Sequence, residues 1–217
     1  MEIENNQLHQ LSAEEIRVLG ALLEKSKTTP DYYPLSLNGL QTACNQKSAR
    51  HPVVEYDEET VVLALDDLKK KRLIAHVIGG GSRALKYRHT VAVSYPLDPA
   101  ETSILCLLFL RGPLTAGEIN SNSGRLYEFD SLQEVQQTLE NLANYEIPFV
   151  SLLPKKPGQK EGRYCHLFAA IPNSDDYDLP AEPARKHVTE LEERLTKVEN
   201  DLATLQEAFD KLMKELM

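Results

Sequence analysis

The chain has 217 residues, 41% of them hydrophobic and 26% charged, with a formal net charge of −9. This is the composition of a globular protein of one or two small domains plus an extension. The longest apolar run, residues 104–110, is far short of the roughly 20 residues of a membrane span, and the acidic start Met1-Glu2-Ile3-Glu4 lacks the basic-then-apolar order of a secretory leader.

Cys44, Cys106 and Cys165 are widely separated and odd in number, which reads as reduced thiols in a cytoplasmic protein. The negative charge argues against nucleic acid as a partner, but it is unevenly spread. Residues 11–95 carry 12 Lys/Arg against 10 Asp/Glu, residues 96–171 carry 6 against 9, and residues 172–217 carry 6 against 12. The acid is concentrated in the tail, so the first part of the chain can still meet phosphates.

Residues 1–10 are expected to form a disordered tail. From residue 11 the chain repeats itself with a period of about 80 residues. Leu11-Ser12-Ala13-Glu14-Glu15 opens one copy and Leu97-Asp98-Pro99-Ala100-Glu101 the other. In each, a capping residue, Ser12 or Asp98, precedes a Glu by three positions, the spacing of a capping box at a helix start, and Pro99 suits the first helical position. Ile16, Leu19, Leu22 and Leu23, and Ile104, Leu105, Leu108 and Phe109, then fall on one face of a helix.

A second short helix follows in each copy, capped by Ser36 over residues 37–44, and by Thr115 with Glu118 from Ala116. A third begins after Asp57, with Val61, Leu65 and Leu68 on its core face, and after Ser131 with Glu134, with Val135, Leu139 and Leu142. These are i, i+4, i+7 triplets. Each copy ends in a predicted hairpin. The first has strands at 73–78 and 84–89 around Gly79-Gly80-Gly81-Ser82; the second has strands at 149–153 and 163–168 around residues 154–160. The return strands match, Tyr87-Arg88-His89 against Tyr164-Cys165-His166. The predicted fold class is therefore α+β, mostly α: two tandem winged-helix modules, residues 11–95 and 96–171. A helix-turn-helix is a packing unit as well as a DNA reader, so fold alone does not give function.

Residues 172–183 form a polar, proline-bounded linker. Over residues 184–217 a coiled-coil helix is expected, because Val188, Leu191, Leu195, Val198, Leu202, Leu205, Phe209, Leu212 and Leu216 alternate spacings of 3 and 4 without a break. A helix folding back on its own modules rarely keeps so strict a repeat, which favours a homo-oligomer, with the fold-back arrangement as the alternative.

Three basic clusters are candidate phosphate contacts. Lys47, Ser48, Arg50 and His51 lie between the second and third helices of the first module. Arg83, Lys86 and Arg88 lie on its hairpin. Lys155, Lys156, Lys160 and Arg163 lie on the second hairpin. Lys and Arg on loops suit backbone contacts, which carry affinity rather than sequence choice, although hairpin tips are polar in most proteins. The third helices argue against base reading. The first opens on Asp57-Glu58-Glu59, and the second presents Gln133, Gln136, Gln137, Glu140 and Asn141 without a basic residue, where a recognition helix places its base-reading side chains.

Catalytic and metal readings are weak. His89 and His166 are repeat-equivalent, and two modules seldom duplicate one active site. Cys165 and His166 point to opposite strand faces, and no Cys-x-x-Cys or His-Glu-x-x-His spacing occurs. Glycines 79–81 lie in a predicted hairpin rather than between a strand and a helix. No enzyme activity, cofactor or metal is expected.

Several long strings resemble the YceH family of bacterial proteins: residues 11–25, residues 28–38, Cys44-Asn45-Gln46-Lys47-Ser48 with Arg50 and Pro52-Val53, and Pro157-Gly158-Gln159-Lys160-Glu161 with Arg163-Tyr164 and His166-Leu167. The resemblance covers about residues 11–170 and leaves out the tail. It implies tandem winged helices in a cytoplasmic protein, and supplies no activity. Two functions fit the residues. One is a regulatory protein that associates weakly with DNA backbone without strong sequence preference. The other is a protein-interaction scaffold, similar in layout to the acidic tandem winged-helix subunit of bacterial chromosome-condensing complexes.

Overall fold

The structure is a computed structural model, and it describes residues 8–78, 85–155 and 161–171. Helix α1 spans Ala13–Thr28; the Ser12 side chain accepts from the Glu15 amide and the Glu15 carboxylate accepts from the Ser12 amide. A 3-10 turn at Pro30–Tyr32 leads to the two-residue strand β1, Leu35–Ser36, and then to α2, Leu37–Cys44, capped by Ser36. Helix α3, Glu58–Lys70, is capped by Asp57 and leads into strands β2, Ile74–Ile78, and β3, Leu85–His89. The short helix α4, Val91–Ser94, links to the second half.

That half runs through α5, Pro99–Arg111, α6, Ala116–Ser123, and α7, Leu132–Asn144, and ends in strands β4, Val150–Leu152, and β5, Tyr164–His166. Asp98 with Glu101 and Thr115 with Glu118 form full capping boxes. At α7 the box is incomplete: Ser131 accepts from the Glu134 amide, but the Glu134 carboxylate takes the amide of Asp130, one residue earlier. The fold is mostly helical, with two small antiparallel sheets ordered β1-β3-β2 and β4-β5. Among the described residues no helix is long and apolar enough to cross a membrane.

Strands β2, β4 and β5 are each shorter than expected, by one, two and three residues, and the pairing adds a feature that periodicity does not reveal. Leu35 of β1 pairs with Tyr87 of β3, and Leu114 bridges to Tyr164 of β5. The segment ahead of the second helix therefore joins the hairpin at the same register in both halves. Strands of one or two residues carry no alternation to detect. Residues 79–84 and 156–160, where the two hairpin turns are expected, and residues 172–217, with the expected linker and heptads, lie outside the described residues.

The packed chain begins earlier than residue 11. Leu8 is buried, His9 Nδ1 lies 2.7 Å from the Tyr95 hydroxyl, and the Leu11 amide donates to the Phe168 carbonyl at 2.7 Å. Residues 8–10, expected as part of a disordered tail, thus pack between the inter-half linker and the last strand. The cause is apolar burial of Leu8, one residue too few to register as a pattern.

The core is one continuous cluster spanning both halves. Its centre is α5, where every residue from Ser103 to Leu110 is buried; a helix apolar on all sides must be covered on all sides. More of that cover comes from α1 than from any other element. Gly20 makes the approach possible, since a β-carbon there would stand 2.9 Å from the Leu110 side chain and 3.0 Å from Phe109 Cβ. Cys106 lies in the same contact, its thiol donating to the Gly20 carbonyl at 3.5 Å.

Leu65 and Leu139 occupy equivalent places on α3 and α7 and are 2% and 0% exposed. Truncating either to Ala should cost about 2–5 kcal/mol, read as a fall in urea midpoint. An unchanged midpoint for one of them would break the equivalence of the two halves at that position.

Candidate binding surfaces

The eleven expected phosphate contacts separate once burial is known. Lys47, Ser48 and His51 are exposed on the segment between α2 and α3, Arg88 is exposed on β3, and Lys86 is half-buried beside it. Lys155 is exposed after β4. Arg83, Lys156 and Lys160 lie outside the described residues.

Arg50 is not a surface residue. It is 6% exposed, and its guanidinium is fully used: two nitrogens donate to Glu24 at 3.0 and 2.6 Å, two reach the Ala43 carbonyl at 3.2 and 2.9 Å, and one also reaches Gln46 Oε1 at 2.9 Å. Burial pushes the Glu24 carboxyl up, and the hydrogen-bonded Arg50 guanidinium, helped by Lys25, more than reverses this and holds it below the usual carboxylate range. Arg163 is committed in the same way, donating to both oxygens of Glu118 at 2.6 and 2.8 Å and to the Pro113 carbonyl at 3.0 Å. Both were expected on phosphates. Each instead satisfies a partly buried carboxylate, and withdrawing it would strand that charge.

A further buried arginine explains how the α2–α3 segment is held. Arg17 of α1 is 3% exposed and donates to the carbonyls of Cys44 at 3.2 Å and Pro52 at 2.6 Å. Arg17 and Arg50 together take up the last carbonyls of α2, where the helix dipole favours cations. Asn45 and Gln41 fix the far end of the segment through Tyr56: both side-chain amides donate to the Tyr56 carbonyl, and the Tyr56 amide donates back to Asn45 Oδ1. The His51 amide donates to the Leu110 carbonyl of α5 at 2.8 Å. Lys47 and Ser48 are therefore exposed side chains on a fixed segment.

The outer face of α3 is acidic in its first turns and basic at its end, where Lys69 and Lys70 are exposed and Lys70 donates to Asp67 at 2.7 Å. Glu58, Glu59, Asp66 and Asp67 are exposed on it, with Leu63 among them at 60% exposure. Asp66 also acts electrostatically on His76 and Tyr87 of the β2–β3 sheet, so this negative face borders the hairpin that carries Arg88. On α7 the exposed residues are Leu132, Gln133, Gln136, Gln137, Glu140, Asn141 and Asn144, with Gln137 donating to Asn141 at 3.1 Å.

His89 and His166 are packing residues in matching positions. His89 Nε2 lies 3.2 Å from Ser26 Oγ, and the His166 ring stands edge-on to Phe109 with centroids 5.0 Å apart. The Nδ1 of each is buried with no hydrogen-bond partner among the described residues. Burial pulls both down to about 4, helped at His89 by Lys27 and Arg88. Burial also raises the thiols of Cys44, Cys106 and Cys165, which disfavours the reactive thiolate.

Two measurements follow from this geometry. Arg50→Gln leaves Glu24 partly buried and unpaired and should cost about 3 kcal/mol, whereas Arg88→Gln, on an exposed strand position, should change the urea midpoint by less than about 0.5 kcal/mol equivalent. Equal small effects would place Arg50 at the surface after all. The histidines set a pH dependence. Their folded values lie below the ordinary 6.5, so the unfolded chain binds more protons between about pH 6.5 and 4. Stability is then full above pH 6.5 and falls as the pH drops towards 4, by up to about 3 kcal/mol per histidine. His166→Gln should flatten the fall in urea midpoint between pH 7 and 5; a wild-type midpoint constant over that range would contradict the assignment.

Residues 11–159 match a family model described as "Protein of unknown function, DUF480". A "UPF0502 protein" of Shewanella piezotolerans is 44% identical over 204 residues, covering 90% of this chain and 94% of that protein. One from Citrifermentans bemidjiense is 45% identical over 193 residues, covering 89% and 88%. The "UPF0502 protein YceH" of Escherichia fergusonii is 43% identical over 213 residues, covering 96% and 98%. Coverage of 96% takes in most of the tail, so the relationship extends beyond the residues on which the YceH resemblance rests. The chain belongs to the DUF480/UPF0502 family, which includes YceH.

Proposed function

We propose that this protein is a non-enzymatic protein-interaction scaffold of the cytoplasm, made of two tandem winged-helix modules and self-associating through the heptad helix of residues 184–217. The order of three helices and two paired strands in each half, with a short strand or bridge ahead of the second helix, supports the winged-helix reading. The unbroken heptad from Val188 to Leu216 supports the coiled coil.

The observation that carries the scaffold reading is the outer face of α3. Where a recognition helix would meet the phosphate-lined groove, this one presents Glu58, Glu59 and Asp66 exposed, with Asp67 paired to Lys70, around an exposed leucine. Carboxylates there are repelled by DNA, whereas an apolar residue ringed by charge is a common arrangement at protein interfaces. The internal use of Arg50 and Arg163 removes two of the cations that the DNA reading needs.

A second reading keeps DNA. Lys47, Ser48, His51 and Arg88 are exposed and Lys86 half-exposed, enough for weak, salt-sensitive contact with phosphates and little sequence preference. One pair of experiments separates the two. Immobilised wild-type protein and Leu63→Asp are used to capture partners from a nuclease-treated lysate, and both are titrated against two unrelated labelled duplexes at several salt concentrations. The scaffold reading expects a nuclease-resistant partner that Leu63→Asp loses, with duplex binding absent or weak. Capture that disappears with nuclease, together with duplex binding abolished by Lys86→Ala with Arg88→Ala, would overturn it.

A further inference from the structure

The first hairpin leaves one edge of its sheet open. In the order β1-β3-β2, strand β3 is paired on both sides, and among the described residues β2 is paired only with β3. Register and two hydrogen bonds fix which backbone groups of β2 point outward. Thr90 stands opposite Leu73 and donates to its carbonyl at 2.8 Å, so the bonded pairs of this antiparallel ladder are Leu73 with Thr90, Ala75 with Arg88 and Val77 with Lys86. The His89 amide agrees, turning away from β2 to donate to the Tyr33 hydroxyl at 2.7 Å. Ile74 and His76 fall in the unbonded pairs, so their amides and carbonyls face the outer edge, where no described residue takes them up. The same strand holds the buried His76 Nε2, which has no hydrogen-bond partner among the described residues.

Natural sheets guard such edges with proline, charge, a bulge or a very short strand. Strand β2, Ile74-Ala75-His76-Val77-Ile78, has none of these: it is five residues long, pairs with β3 residue for residue, and carries no proline, lysine, arginine or carboxylate. Its two faces differ. Ile74 and Tyr87 are buried on the inner face, while Ala75, Val77, Lys86 and Arg88 alternate with them on the outer one. Arg88 stands opposite Ala75, and Lys86 opposite Val77. Short side chains at the edge leave both cations room to lean outward. Neither is in an ion pair among the described residues, and nor are Lys69 and Arg72, exposed just ahead of β2. Against them stands Asp66 of α3, which acts on His76. A strand added to β2 would run about 10 Å from β3, two strand spacings, a gap that an extended Arg or Lys and a Glu span together.

We propose that the outer edge of β2 takes an extended acidic peptide of a protein partner as an added strand. The backbone groups of Ile74 and His76 hold its main chain. Alternate side chains of the peptide are carboxylates that cross Ala75 and Val77 to meet Arg88 and Lys86; those between them are apolar and β-branched, and continue the inner face beyond Ile74. Main-chain pairing supplies affinity, and the two cations select the peptide. This edge is a different element from the α3 face that carries Leu63, so either surface can fail without the other.

The test uses the full chain and a fluorescein-labelled peptide of alternating Glu and Val, one residue longer than β2 at each end. Anisotropy should rise along a saturating curve. The same peptide N-methylated at every residue, and its Lys–Val analogue, should not bind. Lys86→Glu with Arg88→Glu should weaken binding by at least about tenfold, whereas Arg125→Glu, exposed after α6, should bind as wild type. His76→Pro removes an outward donor and no bond to β3, so it should abolish binding where His76→Val retains it. If His76→Pro fails to fold, hydrogen exchange of the wild type carries the comparison: the Ile74 and His76 amides should exchange faster than those of Ala75 and Val77 in the free chain, and slow when peptide is added. Absence of saturable binding would overturn the proposal, as would binding that survives N-methylation, which would rest on charge alone. So would Ile74 and His76 amides already protected without peptide, because the chain itself or a second copy would then fill the edge. A short duplex bound through Lys86 and Arg88 with no response to the peptide would overturn it too.

Discussion

Everything in the described part of the chain is arranged around the contact of α1 with α5. Helix α5 is apolar around its whole circumference, so it cannot sit at the edge of a domain; it needs cover from its own half and from the other. Gly20 supplies that cover by letting the α1 backbone close on Leu110 and Phe109. Once the two helices touch, the charged ends of their elements are brought together as well. Glu24 meets Arg50, the His51 amide finds the Leu110 carbonyl, and Arg111 is drawn into partial burial. The electrostatics of the junction follow from a packing constraint.

That order of causes bears on how cations are divided in an acidic protein. Two arginines that look free in the sequence are spent inside, each against a carboxylate brought near by the fold, and a third, Arg17, is spent on backbone carbonyls. What remains at the surface is an acidic start and a basic end on α3, a largely amide face on α7, and single cations spread over the described residues, such as Lys27, Lys47, Arg88 and Arg125. A protein built to hold nucleic acid tightly would keep its planar, forked cations outward, where they match phosphate.

The helix starts were legible in the sequence because capping is local. Ser12 with Glu15, Asp98 with Glu101 and Thr115 with Glu118 each act over three residues. The core triplets on α3 and α7 were legible for the same reason, as periodicity within one helix. Partners of Arg50 and Arg163 were not, since Glu24 and Glu118 lie 26 and 45 residues away, and charge identity says nothing of burial. Strand β1 and the Leu114 bridge were too short to alternate. The repeat itself was the strongest long-range clue, yet it pointed to two similar halves and not to the degree to which each completes the other.

The Gly20 contact also has a consequence during synthesis. The face of α1 that receives Leu110 and Phe109 is made roughly ninety residues before its cover, and a ribosome adds about 5–20 residues per second. For several seconds the nascent first half carries an open apolar stripe with no mate. Chaperone occupancy on ribosomes should therefore peak before α5 emerges and drop once it has docked, which makes the order of the two halves along the messenger a folding requirement as well as a record of duplication.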